Sequence, residues 1–107
     1  MTTFNDREKG FESKFALDQE QEFRAVARRN KLLGYWAAER MGLEGDHRED
    51  YAKVVVKSDF EQPGDEDVLR KVFGDLKSAG DSATEADVRM KMDELLAQAR
   101  EQVKSGS

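Results

Sequence analysis

The 107-residue chain contains no cysteine, one histidine and one proline. Without thiols, neither a disulfide nor a thiolate metal site can form. A single histidine leaves no basis for a His-rich metal cluster. His47 stands beside Asp46 at a predicted helix start, which makes it a surface residue. No apolar run approaches the ~20 residues of a membrane span or the core of a signal peptide. The glycine patterns of P-loops, dinucleotide folds and nucleophile elbows are all missing, and with them their phosphate cradles and activated serine. Carboxylates are abundant, but nearly all fall on predicted solvent faces. These absences argue against an enzyme, and no metal or cofactor is expected.

What is present is charge at helical spacing. Charged residues make up 38% of the chain, apolar residues 37%, and the net charge is −5. The acidic balance argues against nucleic acid as a partner. Regular apolar spacing within so much charge points to a folded helical protein rather than a disordered one. The length suits one domain with a modest core.

Four helical segments can be read, with no internal repeat. The first is expected from about Leu17 to Met41, ending at Gly42, with Phe23, Val26, Ala27, Leu33 and Ala37 inward and Trp36 at the edge. The second, DHREDYAKVVVKSDF, offers Tyr51, Val54, Val55 and Ser58 as its face, with capping-box spacing between Asp46 and Glu49. Lysine and aspartate on both sides of the VVV run favour a helix over a strand. Pro63-Gly64 marks a break. The third segment aligns Val68, Leu69, Val72, Phe73 and Leu76, with Asp65 as its cap and Gly80 as its end. In the fourth, Val88, Met92, Leu95, Leu96, Ala99 and Val103 share a face and Met90 sits at its margin. Ser82 with Glu85 has capping-box spacing, and Thr84 competes with it. Short links between such segments predict an all-α, antiparallel four-helix bundle over residues 17–104. Residues 105–107 are a frayed tail.

Residues 4–15, FNDREKGFESKF, do not belong to that pattern. Phe11 and Phe15 fall within about 20° of Phe4 on a helical wheel. This stripe is offset from the inner face of the first helix and separated from it by the acidic stretch DQEQE. Gly10 lies inside it and costs about 1 kcal/mol relative to alanine in a helix, and short isolated helices are marginal in water. Residues 1–16 are therefore read as a mobile arm, unfolded when free and helical when something covers the phenylalanines. The alternative is that the arm folds back over the bundle.

The densest positive stretch is RAVARRNK, with Arg24, Arg28, Arg29 and Lys31. It reads either as a solvated face pairing with Glu20 and Glu22 at helical spacing, or as an anion site for a nucleotide phosphate or an acidic partner. Trp36 and Tyr35 read as core or as a stacking platform. A sensor that binds adenine nucleotide through the basic stretch and Trp36 is thus an alternative to a helical bundle whose arm binds a partner.

Four stretches together carry a resemblance: FNDREKGFESKF, ARRNKLLGYWAAERMG, YAKVVVKSDFEQPGDEDVLRKV and RMKMDELLAQA. In this order, and over nearly the whole chain, they are similar to the zeta subunit of alphaproteobacterial ATP synthases. The resemblance implies a four-helix bundle with a mobile N-terminal arm that inhibits ATP hydrolysis by the catalytic head of the F-type ATP synthase. In role, the arm is similar to that of the mitochondrial ATPase inhibitory protein, which becomes helical in a cleft between catalytic subunits. Carried onto this chain, the inhibitory residues are Phe4, Arg7, Glu8, Phe11, Glu12, Lys14 and Phe15. Arg24, Arg28, Arg29, Lys31 and Trp36 are candidates for a second contact with the partner or a nucleotide. The resemblance also implies that synthesis is spared, and it places the protein in the bacterial cytoplasm at the soluble head of the enzyme. A well-separated charged surface predicts a monomer when free. One departure stands out: Gly10 occupies a position where the family usually carries a helix-favouring residue such as alanine.

Overall fold

The computed structural model describes residues 18–61 and 64–106, and these form four helices with no strand among them. They are α1 (Gln19–Arg40), α2 (Gly45–Glu61), α3 (Asp65–Ser78) and α4 (Glu85–Lys104). The expected all-α four-helix bundle is what the structure shows. The predicted arm lies outside the described residues.

α1 starts two residues later than expected. Asp18 is its N-cap, with extended backbone (φ −70°, ψ 174°). The Gln21 amide donates to Asp18 Oδ1 at 2.7 Å, and the Asp18 amide donates to Gln21 Oε1 at 3.2 Å. This reciprocal capping box satisfies two donors that the first turn leaves open. α4 starts in the same way on Thr84 and Asp87, so Thr84 wins over Ser82. Two other predicted caps are wrong. α2 begins at Gly45, which places Asp46 inside its first turn, and Glu49 accepts instead from the Tyr35 hydroxyl at 2.7 Å. The N-cap of α3 is Gly64, without a side-chain hydrogen bond, and Asp65 is already helical. α1 and α3 end as expected on Gly42 (φ 80°) and Gly80 (φ 82°). There the Leu43 amide donates to the Ala38 carbonyl, and the Asp81 amide to that of Leu76. This turn needs a left-handed residue, which glycine adopts without a Cβ penalty.

α1 is the shared element. It runs antiparallel to α2, as the Tyr35–Glu49 contact at one end and Asn30–Asp59 at the other require. On its other side Glu22 pairs with Arg100 of α4, and Arg40 with Asp81 before α4. α3 closes the remaining side, where Val68, Leu69, Val72 and Leu76 meet Leu33, Val55, Val88 and Met92 in the core. The faces of α3 and α4 are as predicted, with Met90 70% exposed at the margin.

The faces of the first two helices are rotated from expectation. α1 buries Ala25, Arg29, Asn30, Leu33, Gly34, Ala37 and Ala38, while Phe23 is 58% exposed. α2 buries Ala52 and Val55 and leaves Val54 exposed. The cause is close approach. A Cβ added to Gly34 would lie 2.6 Å from the Ala52 Cα, so the two backbones meet where neither helix carries bulk. Phe23 lies seven residues, roughly 10 Å, before Asn30, where the end of α2 makes its contact. It projects beyond that seam.

Three carboxylates are held below their ordinary range: Glu22 by the Arg100 guanidinium, Asp81 by the Ala83 amide and Arg40, and Asp87 by the Thr84 amide and hydroxyl. A carboxylate whose folded pKa lies below its unfolded value contributes stability that is complete above the unfolded value. That stability is lost as acid protonates the folded form. Unfolding free energy should therefore hold steady above the ordinary glutamate value of 4.5 and fall below it, when followed by urea unfolding across pH. Two glycine substitutions test the packing. Gly34→Ala gains about 1 kcal/mol of helix propensity but forces Ala52 backbone apart at about 1–3 kcal/mol, so its urea midpoint should drop. Gly74→Ala, in an open stretch of α3 with nothing within 4 Å, should raise the midpoint, corresponding to about 0.5–1 kcal/mol of added stability.

Candidate functional site

The predicted inhibitory residues Phe4, Arg7, Glu8, Phe11, Glu12, Lys14 and Phe15 lie outside the described residues. The structure does place the second predicted group, Arg24, Arg28, Arg29, Lys31 and Trp36, and it does not bring them together. On α1, Arg24, Arg28 and Lys31 fall within about 60° of each other on the outward arc, and Arg29 and Trp36 lie some 100° away, facing α3 and α4.

Arg29 is 1% exposed, so the expectation of a solvated or anion-binding side chain fails for it. Its Nε donates to Asn30 Oδ1 at 2.8 Å and its Nη2 to Asp65 Oδ1 at 2.8 Å. Asn30, equally buried, donates Nδ2 to Asp59 Oδ2 at 3.1 Å. Asp59 Oδ1 in turn accepts from the Gly64 amide at 3.3 Å. The chain Asp65–Arg29–Asn30–Asp59–Gly64 fastens α1 to both ends of the α2–α3 link. A buried guanidinium needs such acceptors, because its desolvation is otherwise uncompensated.

Trp36 is half-buried against the core, with Arg40 5.4 Å and Lys91 5.9 Å from its ring centroid. Tyr35 has Arg48 at 4.0 Å. The chain's own cations already occupy both rings, so neither is an open stacking platform. Glu22 gives both its oxygens to Arg100, at 3.0 and 2.6 Å, rather than to the arginines of its own helix.

Lys31 leads to a site that the sequence reading missed. It rims a groove of about 390 Å³ along the α1–α2 seam, with Glu49, Lys53 and Lys57 on the other wall and Ala52 and Val56 as apolar floor. Among the described residues, Arg24, Lys31, Lys53 and Lys57 have no carboxylate within salt-bridge distance. The arginines on the α3 and α4 sides, Arg70, Arg89 and Arg100, are all paired. A signal for this was available: KVVVK places two lysines at i,i+4, and like charges there disfavour the helix by a few tenths of a kcal/mol.

Among the described residues no cluster of His, Cys, Asp and Glu could hold a metal, and no helix is long and apolar enough to cross a membrane. Comparison with known proteins decides the family. The pattern of the family described as ATPase inhibitor subunit zeta matches residues 1–102. The chain belongs to that family. Among solved structures, one determined by solution NMR is 49% identical, covering 80% of this chain and 98% of its own, at a TM-score of 0.69. No curated protein matches. As a zeta subunit, the chain has the role of an ATPase inhibitor; the family is a regulatory one and implies interaction with the ATP synthase.

The zeta bundle's polar network makes a test of its own. Asp65→Asn should destabilise by about 1–3 kcal/mol, by stranding a buried guanidinium. Arg29→Met combined with Asp65→Asn should recover most of that loss, because the charge that needs a partner has gone. Urea unfolding of Asp65→Asn, Arg29→Met and the double variant measures the cycle.

Proposed function

We propose that this zeta subunit blocks ATP hydrolysis by inserting residues 4–15 as a helix at a catalytic-subunit interface of the ATP synthase head. The observation that carries the reading is the extent of the family match. It runs from residue 1 and so takes in the phenylalanine stripe. Among the described residues the buried core begins at Ala25, with no unsatisfied buried side-chain polar atom.

In this mechanism Phe4, Phe11 and Phe15 fill apolar pockets of the cleft. Arg7, Glu8, Glu12 and Lys14 pair with charged groups on its walls and set the register, as in helix-in-groove recognition. Burial of three phenylalanines contributes about 5–9 kcal/mol. Ordering the segment costs about 2–5 kcal/mol or more, and association entropy costs several more. The stripe alone is therefore a weak binder, and docking of the bundle must raise its local concentration. A helix wedged into one interface holds it in a single conformation and stops rotation in the hydrolytic direction. Rotation the other way expels it, so synthesis is spared.

An ATPase assay on the cognate catalytic head tests the mechanism. The full chain should inhibit, and a chain lacking residues 1–16 should not. Phe11→Ala/Phe15→Ala should weaken inhibition about a hundredfold or more. Gly10→Ala should strengthen it by up to about fivefold, the equivalent of its helix-propensity gain. Undiminished inhibition by the truncated chain would overturn the proposal.

A further inference from the structure

The α1–α2 groove has a chemistry that selects its occupant. Its floor is apolar, from Ala52 and Val56, and its rim carries Lys31, Lys53 and Lys57 against the single carboxylate of Glu49. Glu49 is itself engaged by the Tyr35 hydroxyl. In a chain of net charge −5, three ammonium groups thus stand together without a carboxylate partner among the described residues. Elsewhere on the surface, cations such as Arg40, Arg48 and Arg89 are paired.

We infer that this groove docks an acidic segment of the ATP synthase, with an apolar side chain seated on Ala52 and Val56 and flanking carboxylates meeting Lys31, Lys53 and Lys57. The inference rests on the inhibitor reading for the identity of the partner assembly. It adds the surface that holds the bundle there and the chemistry of what it grips.

Size and donor type favour this occupant over a nucleotide. About 390 Å³ is at the small end of ligand sites, which span about 300–1,000 Å³. That is room for two or three side chains, not for a whole helix. The walls are mid-helix positions, Lys31 within Gln19–Arg40 and Lys53 and Lys57 within Gly45–Glu61, whose backbone amides are used within the helices. No helix N-terminus or glycine loop presents N–H groups to a phosphate, as such sites normally do. No open aromatic face receives a base either, since Tyr35 already has Arg48 over its ring. Flexible lysines around an apolar floor suit carboxylates spaced along a peptide. Such rim charges act mainly through electrostatic attraction that salt screens.

The experiment measures binding of the full chain to the cognate catalytic head at several salt concentrations. It compares Lys53→Glu/Lys57→Glu with Lys77→Glu/Lys104→Glu, which changes the net charge equally but in the last turns of α3 and α4. The groove pair should weaken binding at least about tenfold and flatten its salt dependence. The control pair should stay within about twofold, and the groove pair should unfold at the native temperature because its lysines are exposed. At saturating concentration the groove variant should still inhibit fully, because residues 1–16 are untouched. Equal binding by the two pairs overturns the inference. So does ATP binding to the free chain that competes with the head and is lost with Lys53 and Lys57, because the groove is then a polyphosphate site. If Phe11→Ala/Phe15→Ala leaves inhibition intact while the groove pair still loses affinity, the arm reading fails and this one stands.

Discussion

A guanidinium placed where water cannot reach it must find its acceptors in the protein, and the position of Arg29 constrains everything around it. Its donors reach Asn30 on the same helix and Asp65 at the start of α3. Through Asn30 they reach Asp59 near the end of α2, and through Asp59 the Gly64 amide. The network ties three helices at the one link that contains the chain's only proline. It is also lopsided: the Arg29 side chain is 2% exposed and that of Asp65 63%. The negative partner stays hydrated while the positive one is enclosed, so only one ion bears a large desolvation cost. Such a pair fixes geometry better than it adds stability. The geometry it fixes is the angle at which α2 turns into α3 beneath α1.

The small-residue seam depends on that alignment. Gly34 and Ala52 admit close backbone contact only while α1 and α2 keep one register, and Asn30–Asp59 at one end and Tyr35–Glu49 at the other hold it. The same seam, continued outward, becomes the lysine-rimmed groove. Core packing, polar network and candidate docking surface are therefore one construction on α1. The N-terminus of that helix is anchored as well. Asp18 stops the helix with a capping box, and Glu22 grips Arg100 at the end of α4 with both oxygens. The start of α1 is thus a fixed base.

The parts of this fold that were legible in the sequence are those governed by strong periodic signals. α3 and α4 carry bulky apolar residues at helical spacing, and their faces were readable, as were the glycine stops of α1 and α3. The face of α1 was not, because a buried helix face is usually recognised by large hydrophobic side chains. Here burial falls on Ala25, Gly34, Ala37 and Ala38 with Arg29 and Asn30 among them, while Phe23 lies outside. Small residues are selected by the distance between backbones, a quantity that no single helix encodes. The caps failed for a related reason. Asp46 and Asp65 have the right residue type, but Gly45 opens α2 one position earlier, and Asp65 is drawn to Arg29, thirty-six residues away. Of the candidate functional residues, the α1 basic stretch was visible but its division was not. Arg29 turned inward for tertiary reasons, and Lys31 found its companions on another helix.

The arrangement also explains why an inhibitor of this kind needs a bundle at all. A short apolar stripe must meet its own ordering cost before it yields affinity, and Gly10 adds about 1 kcal/mol to that cost. A second contact elsewhere on the same chain makes insertion effectively intramolecular, provided the linkage holds the stripe near its cleft. The linkage works only if its base is stiff. A bundle that frayed at the start of α1 would lengthen the tether and dilute the stripe, since effective concentration falls roughly as the −3/2 power of tether length. In the proposed mechanism, the Asp18 cap and the Glu22–Arg100 grip prevent this by holding the start of α1 in place. On this argument the contacts at the base of α1 matter to inhibition although none of them touches the partner. In the proposed mechanism they set how concentrated residues 4–15 are where that segment inserts.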